Sequence, residues 1–232
     1  MTRHSTVPTD AFVNFSTNGL ITQLSKEDQN RLQQICQPVE LTEGQCLCLP
    51  EANAPAKVYF LTSACVTLWV RNPNHASLAV GLIGAEGAVG LGAALGQQAN
   101  HLQYEVQTAG QAWYTDSQQL QQLLQSQPTI LWAVAKYLWQ LTHDMANLAA
   151  FIQCHDISTR LAAWLVLCAQ RTDSHKLNLT HDQLARMLGV RRVSITLAAV
   201  DLKEKGFLDY KRGTIDILDM VGLTSLTPSP AP

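Results

Sequence analysis

The sequence predicts an α+β chain in three parts: an N-terminal β-roll, one long helix and a C-terminal winged helix-turn-helix. Three patterns predict this fold. Short apolar runs separated by Gly, Pro and Asn fill the first half of the chain. A heptad pattern of apolar residues follows Pro128. A helix, glycine turn, helix and hairpin pattern comes last. We therefore expect domains at residues 18–127, 128–155 and 156–226.

The first part is expected to be a β-sandwich or β-roll that follows a short helix. Ser25 precedes the acidic turn Glu27-Asp28, which predicts a capped helix start. The strand-like runs are VELTEGQCLCL, AKVYFLTSACVTLWV, SLAVGLIG and LQYEVQTAGQAWYT, and DSQQLQQLLQ then predicts a helix. Several short strands with turns between them are typical of a β-roll.

The long helix is predicted from Pro128, because apolar residues recur there at alternating spacings of three and four. We call these residues the heptad seam: Leu131, Val134, Leu138, Leu141, Met145, Leu148 and Ile152. A heptad repeat of this kind is typical of a coiled coil, so we expect the seam to form a homodimer interface. A helix packed only on its own domain is the alternative. Trp132, Tyr137 and Trp139 lie off the seam and are expected to do that packing instead, which leaves the seam for a partner.

Asp156 predicts the beginning of another helix, ISTRLAAWLVLCAQR. Its carboxylate can accept hydrogen bonds from the first backbone N–H groups of that helix. The change of helix indicates a domain boundary and a hinge.

The C-terminal part carries the most specific pattern. Thr180 and Gln183 fit a capping box, and the helix DQLARML stops at Gly189. A second helix is predicted from Arg191 to Lys205, followed by two strands joined around the turn in FLDYKRGTIDILD. Helix, tight turn, helix and hairpin together predict a winged helix-turn-helix.

The stretch GVRRVSIT places two arginines at the beginning of the second helix. Cations are disfavoured at a helix N-terminus, so Arg191 and Arg192 indicate an external anion. Arginine at the start of a recognition helix can bind guanine O6 and N7 in the major groove, which predicts double-stranded DNA as a partner. The other polar contacts expected are Thr180, Ser194, Thr196, Lys211 and Arg212.

Charge and composition agree with this prediction. Residues 171–216 hold nine Lys/Arg and six Asp/Glu, a local +3, and the remainder holds seven and twelve, a local −5. These sum to the net charge of −2 and leave the C-terminal part the basic one. No apolar run approaches the roughly 18 residues of a membrane span, and the N-terminus lacks a secretory signal. We expect a cytoplasmic protein with no membrane partner.

The six cysteines form no C-x-x-C pair and are expected to be reduced and mostly buried. Alternation along a strand explains Cys46-x-Cys48, and Cys154-His155 has no further ligands at a suitable spacing. We therefore expect no metal and no cofactor.

The motifs HDISTRLA, LTHDQLARMLGVRRVSIT and KRGTIDILD, in this order after a β-roll and a long helix, resemble the Crp/Fnr family of bacterial transcription regulators. The resemblance covers almost the whole chain. It implies a cyclic-nucleotide-binding-like β-roll, a dimer formed through the long helix, palindromic operators, and RNA polymerase as a partner if the protein is an activator. Arg192 matches the arginine that contacts guanine, and Asp156 matches the hinge aspartate. Val193 and Leu197 replace a glutamate and an arginine of the family, so we expect them to contact thymine methyl groups.

The effector region departs from the family. The family binds a cyclic nucleotide with Gly-Glu and, about ten residues later, Arg-Ser. The residues at the matching positions are Gly90, Leu91 and either Asn100 or His101. Between Arg71 and Lys136 the sequence has no Lys or Arg. The effector is therefore expected to be something other than a cyclic nucleotide.

Two other function classes compete with DNA binding. The sequence has no G-x-S-x-G, H-E-x-x-H or Walker loop, so no enzymatic activity is expected. The alternative to a DNA-binding regulator is a ligand-binding signalling or scaffold subunit whose C-terminal domain contacts protein. Salt-dependent DNA binding distinguishes the two.

Overall fold

A computed structural model of the chain describes residues 13–47, 56–70, 77–97 and 102–227. Its helices are α1 (Gly19–Thr22), α2 (Lys26–Gln34), α3 (Leu91–Ala94), α4 (Ser117–Ser126), α5 (Pro128–Cys154), α6 (Ile157–Thr172), α7 (His181–Leu188), α8 (Arg192–Glu204) and α9 (Met220–Ser225). Its strands are β1 (Gln37–Leu41), β2 (Cys46–Leu47), β3 (Lys57–Leu61), β4 (Cys65–Val70), β5 (Leu78–Ile83), β6 (Ala88–Val89), β7 (Leu102–Thr108), β8 (Gly110–Asp116), β9 (Lys176–Leu177), β10 (Leu208–Lys211) and β11 (Thr214–Ile217).

The first eight strands form the predicted β-roll. They make two four-stranded antiparallel sheets, with the orders β1-β8-β3-β6 and β2-β7-β4-β5. The core of the roll draws on both sheets, and its largest fully buried side chains include Leu41, Leu61, Leu68 and Ile83. Helix α2 begins after Ser25 as predicted, with the Ser25 hydroxyl accepting the Asp28 N–H at 3.1 Å. The α+β fold class is confirmed.

The long helix α5 turns most of its heptad seam toward its own chain. Val134 is 2% exposed and lies in a core with residues of α1, α2 and α4. Leu138 packs against the same core, and Leu141 and Met145 pack against the core of the β-roll. The prediction that the seam faces a partner is therefore wrong for Val134. Leu138, Leu141 and Met145 are half-buried against the chain's own cores. A heptad pattern predicts that a row of apolar residues is buried, but it does not show whether the same chain or a partner buries it.

The other seam residues and the three off-seam aromatic residues of α5 differ in how far they are buried. Leu148 packs against the C-terminal core, Ile152 is half-buried and Leu131 is exposed. Tyr137 packs on its own domain, as expected for the aromatic residues off the seam. Trp132 and Trp139 do not, because they are 69% and 75% exposed on the opposite side of the helix.

The C-terminal part contains α6 to α9 and a three-stranded sheet of order β10-β11-β9. Asp156 caps α6 as predicted, and its carboxylate accepts the Thr159 N–H at 2.9 Å. Those hydrogen bonds hold the pKa of Asp156 below its usual value. Strand β9 and helix α9 had no clear sequence signal. The core of this part also includes Cys65, Trp69, Ala79 and Leu82 of the β-roll, so the two parts share one apolar core.

Candidate nucleic-acid interface

Helix α7 and the turn after it are held by the predicted local contacts. The Thr180 hydroxyl accepts the Gln183 N–H at 3.2 Å, and the Gln183 side chain accepts the Thr180 N–H at 2.8 Å. This capping box satisfies two backbone donors at the start of α7. Gly189 ends the helix at a φ of 66°, a left-handed conformation that favours glycine. The turn then directs the chain into α8.

Helix α8 buries one side and exposes the other. Ile195, Ala198, Ala199 and Leu202 are buried, as the sequence predicted. On the opposite side, Val193 and Leu197 are 67% and 66% exposed. Arg192 is also exposed, and Thr196, four positions later and half-buried, lies next to it on the helix surface. The predicted base-reading side chains therefore lie together on an open surface, with Ser194 half-buried at its edge.

The beginning of α8 is an electropositive site. Arg191 is the N-cap residue, and a guanidinium has no acceptor with which to cap the first N–H groups. Those N–H groups and the positive end of the helix dipole favour an anion. Arg192 forms an ion pair with Asp182 at 3.4 Å, with both side chains two-thirds exposed. An exposed pair of this kind contributes little stability, so Arg192 can exchange Asp182 for another partner at small cost.

The wing lies next to these helices. Strands β10 and β11 join through Arg212 and Gly213, and Gly213 adopts a φ of 80°. Lys211 and Arg212 are exposed. A side chain added at Gly213 would lie 4.0 Å from the methyl group of Thr180, so the wing turn contacts the start of α7. The structure thus brings together Thr180, the start of α8 and the wing, which lie far apart in the sequence.

His181 is a residue of this surface that the sequence interpretation missed. Its Nδ1 lies 3.1 Å from the Thr196 hydroxyl oxygen, and its ring lies 5.2 Å from the ring of Tyr210 in the wing. Burial and the nearby Arg192 guanidinium lower the pKa of His181. The available signal was its position, directly after the capping Thr180.

The other side of α7 contacts the β-roll, which the sequence interpretation also missed. Arg186 forms an ion pair with Glu105 at 3.0 Å, and its guanidinium lies 4.1 Å from the centre of the Trp69 ring. A cavity of about 60 Å³ lies at this contact. Next to it, a side chain added at Gly189 would lie 2.6 Å from Leu78.

The expected effector region is closely packed where the structure describes it. Gly90 adopts a φ of 83° and starts α3, and Leu91 is 3% exposed in a core with Phe60. The Tyr137 hydroxyl donates to the Ala88 carbonyl at 3.1 Å. Asn100 and His101, like Cys48, lie outside the described residues.

Residues 159–226 match the Crp-like helix-turn-helix domain family. Solved structures with a similar fold include a Crp/Fnr-family transcriptional regulator from Eubacterium rectale, with 15% identity, 91% of this chain and 98% of that chain covered, and a TM-score of 0.69. The c-di-GMP-responsive global regulator CLP of Xanthomonas campestris is 18% identical over 83% of this chain and 99% of its own, with a TM-score of 0.68. A Crp/Fnr-family transcriptional regulator from Thermus thermophilus is 22% identical over 82% and 97%, also with a TM-score of 0.68.

No curated protein matches the sequence. Within the described ranges, every helix is too short or too polar to cross a membrane.

Proposed function

We propose that this chain is a DNA-binding transcription regulator of the Crp/Fnr type that binds a palindromic operator as a homodimer. Its fold and its Crp-like helix-turn-helix domain support this proposal. Domains at residues 18–127, 128–155 and 156–226, with a hinge at Asp156, are part of this proposal. The protein acts by binding rather than by catalysis, and contacts RNA polymerase if it is an activator.

The exposed surface of α8 carries the proposal. Arg192 reaches a guanine by two hydrogen bonds, while Val193 and Leu197 offer apolar contacts to thymine methyl groups. Thr180, Arg191, Ser194, Thr196, Lys211 and Arg212 bind phosphates or base edges around them. Support comes from the exposure of the three reading residues on one side of α8, next to the wing.

The dimer forms through the outer face of α5 rather than through Val134 and its neighbours. This face consists of six exposed residues, Trp132, Ala135, Trp139, Thr142, Ala146 and Ala149. They recur at spacings of three and four, which is a second heptad stripe opposite the first. Ala135 lies between the two tryptophans, and Ala146 and Ala149 follow them; these small side chains allow close approach of a second copy of the helix. A two-fold dimer places two α8 helices on DNA and so requires a pseudo-palindrome, with half-site centres roughly 34 Å apart.

The effector is not a cyclic nucleotide bound in the family's usual way. Leu91 lies in the core, where a ribose-binding glutamate would have to face a ligand. No Lys or Arg occurs between Arg71 and Lys136 to neutralise a phosphate. The Xanthomonas regulator is described as responsive to c-di-GMP, which is also a phosphate ligand. The absence of Lys and Arg from this segment argues against that ligand as well.

The test is selection of operator sequences from a random DNA library, followed by affinity measurements at several salt concentrations. Arg192→Ala should weaken the selected operator by about 1–3 kcal/mol and relax its preference at one base pair. Lys211→Ala should weaken all sequences alike. Lys205→Ala, at the other end of α8, is the matched control and should bind like the wild type. A wild-type protein without salt-dependent DNA binding would contradict the proposal and favour a scaffold role.

A further inference from the structure

His181 joins the three elements of the proposed DNA interface. It is the first residue of α7, its Nδ1 contacts Thr196 of α8 at 3.1 Å, and its ring packs on Tyr210 of the wing. Thr196 lies on the same side of α8 as Arg192. A change at His181 therefore acts on the exposed side of α8 indirectly, through its contacts with Thr196 and Tyr210.

The contacts of the Thr196 hydroxyl favour a proton on Nδ1 of His181 and leave Nε2 to titrate. The Thr196 hydroxyl has one proton and donates it to the Arg192 carbonyl at 3.2 Å. Its oxygen can then only accept from His181, so both contacts are hydrogen bonds when Nδ1 carries a proton. Nε2 is consequently the nitrogen that gains or loses a proton.

Charged groups face His181 from each neighbouring element. Asp182 on α7 favours the protonated ring, whereas Arg192 on α8 disfavours it. The wing contributes the Tyr210 ring, and the ammonium of Lys203 lies 5.1 Å from that ring. Burial is the largest influence and, together with Arg192, lowers the pKa of His181 below its ordinary value. The ring is therefore mainly neutral at pH 7 in the free protein.

We infer that His181 is a positioning residue that links α7, α8 and the wing, and that it makes DNA binding stronger as the pH falls. This inference rests on the proposed function. Phosphates brought near the start of α7 add negative charge, which favours the protonated ring. The complex then holds a proton on Nε2 more tightly than the free protein does. By linkage, the gain in affinity is present at low pH and is lost as the pH rises through the pKa of the complex.

The test measures affinity for the selected operator by fluorescence anisotropy from pH 5.5 to 8 at constant ionic strength. Wild-type affinity should rise about three- to tenfold toward low pH, because the complex binds the proton more tightly than the free protein does. His181→Asn keeps an N–H donor at the place of Nδ1 but does not titrate. It should bind within about twofold of the wild type at pH 8 and lose the pH-dependent gain.

Two further variants separate positioning from protonation. Thr196→Val removes the hydroxyl and keeps the shape of the side chain, so it should weaken binding at every pH and keep the pH-dependent gain. His175→Asn removes an exposed histidine of the same domain and should behave like the wild type at every pH.

The outcomes distinguish this inference from the proposed function. If His181→Asn keeps the full pH dependence, another group is responsible and the inference is wrong. His181→Leu has no N–H donor and should bind more weakly than His181→Asn at pH 8. Equally weak binding by the two variants would show that the Nδ1 donor does not position α8. Absence of salt-dependent DNA binding by the wild type at any pH would instead overturn the proposed function itself.

Discussion

Replacing Trp139 by serine should convert the proposed dimer to monomers without unfolding the chain. A buried tryptophan typically covers about 150–250 Å². Because Trp139 is 75% exposed in the single chain, about 110–190 Å² remains for a partner to cover. At about 25 cal/mol per Å², this is about 3–5 kcal/mol per chain and about 6–9 kcal/mol per dimer. That range is comparable to the whole association cost of about 4–15 kcal/mol.

Even if neighbouring side chains recover half of this burial, about 3 kcal/mol is lost, and the dimer dissociation constant should rise by about a hundredfold. Sedimentation equilibrium over a range of protein concentrations measures this constant directly. The thermal unfolding of Trp139→Ser monomers should stay close to that of the wild type, because the removed side chain contributes little to the fold of a single chain.

Val134→Ser is the matched control on the inner side of the same helix. It places a hydroxyl in the core at a position 2% exposed, which should cost about 1–3 kcal/mol of unfolding free energy and leave the association of folded chains unchanged. If Val134→Ser dissociated the dimer and Trp139→Ser did not, the two sides of α5 would be assigned the wrong way round.

Three further predictions concern the β-roll and its contact with α7. Gly87→Ala should lower the unfolding free energy by about 1–3 kcal/mol, because the added carbon would overlap the Tyr137 hydroxyl. Chemical denaturation measures this free energy. An unchanged denaturation midpoint would contradict the close packing of Tyr137 on Gly87. Arg186→Met should lower the unfolding free energy by about 1 kcal/mol at low salt and by less at high salt, because it removes the ion pair with Glu105 and the contact with the Trp69 ring. An equal loss of stability at both salt concentrations would show that the contribution of Arg186 is not electrostatic. Isothermal titration with cyclic AMP at neutral pH should give no heat of binding. A low-micromolar dissociation constant would contradict the proposal that the effector is not a cyclic nucleotide.

Local structure was predictable from sequence because its causes lie within a few residues. The capping box of Thr180 and Gln183, the cap at Asp156 and the left-handed Gly189 each depend on neighbours within one helical turn. The buried side of α8 followed from the 3.6-residue period alone. The recognition surface was therefore largely predictable.

Pairs that are distant in sequence had no such signal. Arg186 and Glu105 are 81 positions apart, and neither residue type is unusual on a surface. His181 meets Tyr210 only because the wing folds back beside α7. The assignment of Val134 to a dimer interface failed for a related reason: the helix has apolar residues on two sides, and their spacing is the same on both. Exposure in the folded chain, not periodicity, distinguishes the side that remains to be covered.

The shared core gives these long-range contacts a further consequence for DNA binding. Trp69 and Leu82 of the β-roll are buried in the same core as Leu161 of α6 and Ile195 of α8. The orientation of α8 is thus tied to the β-roll of its own chain, whereas the outer face of α5 would set the distance between the two copies of the proposed dimer. In the proposed dimer, both contacts together determine the separation of the two recognition helices. A substitution at Arg186 should for this reason alter the preferred half-site spacing as well as stability, whereas a substitution in the wing should alter affinity alone.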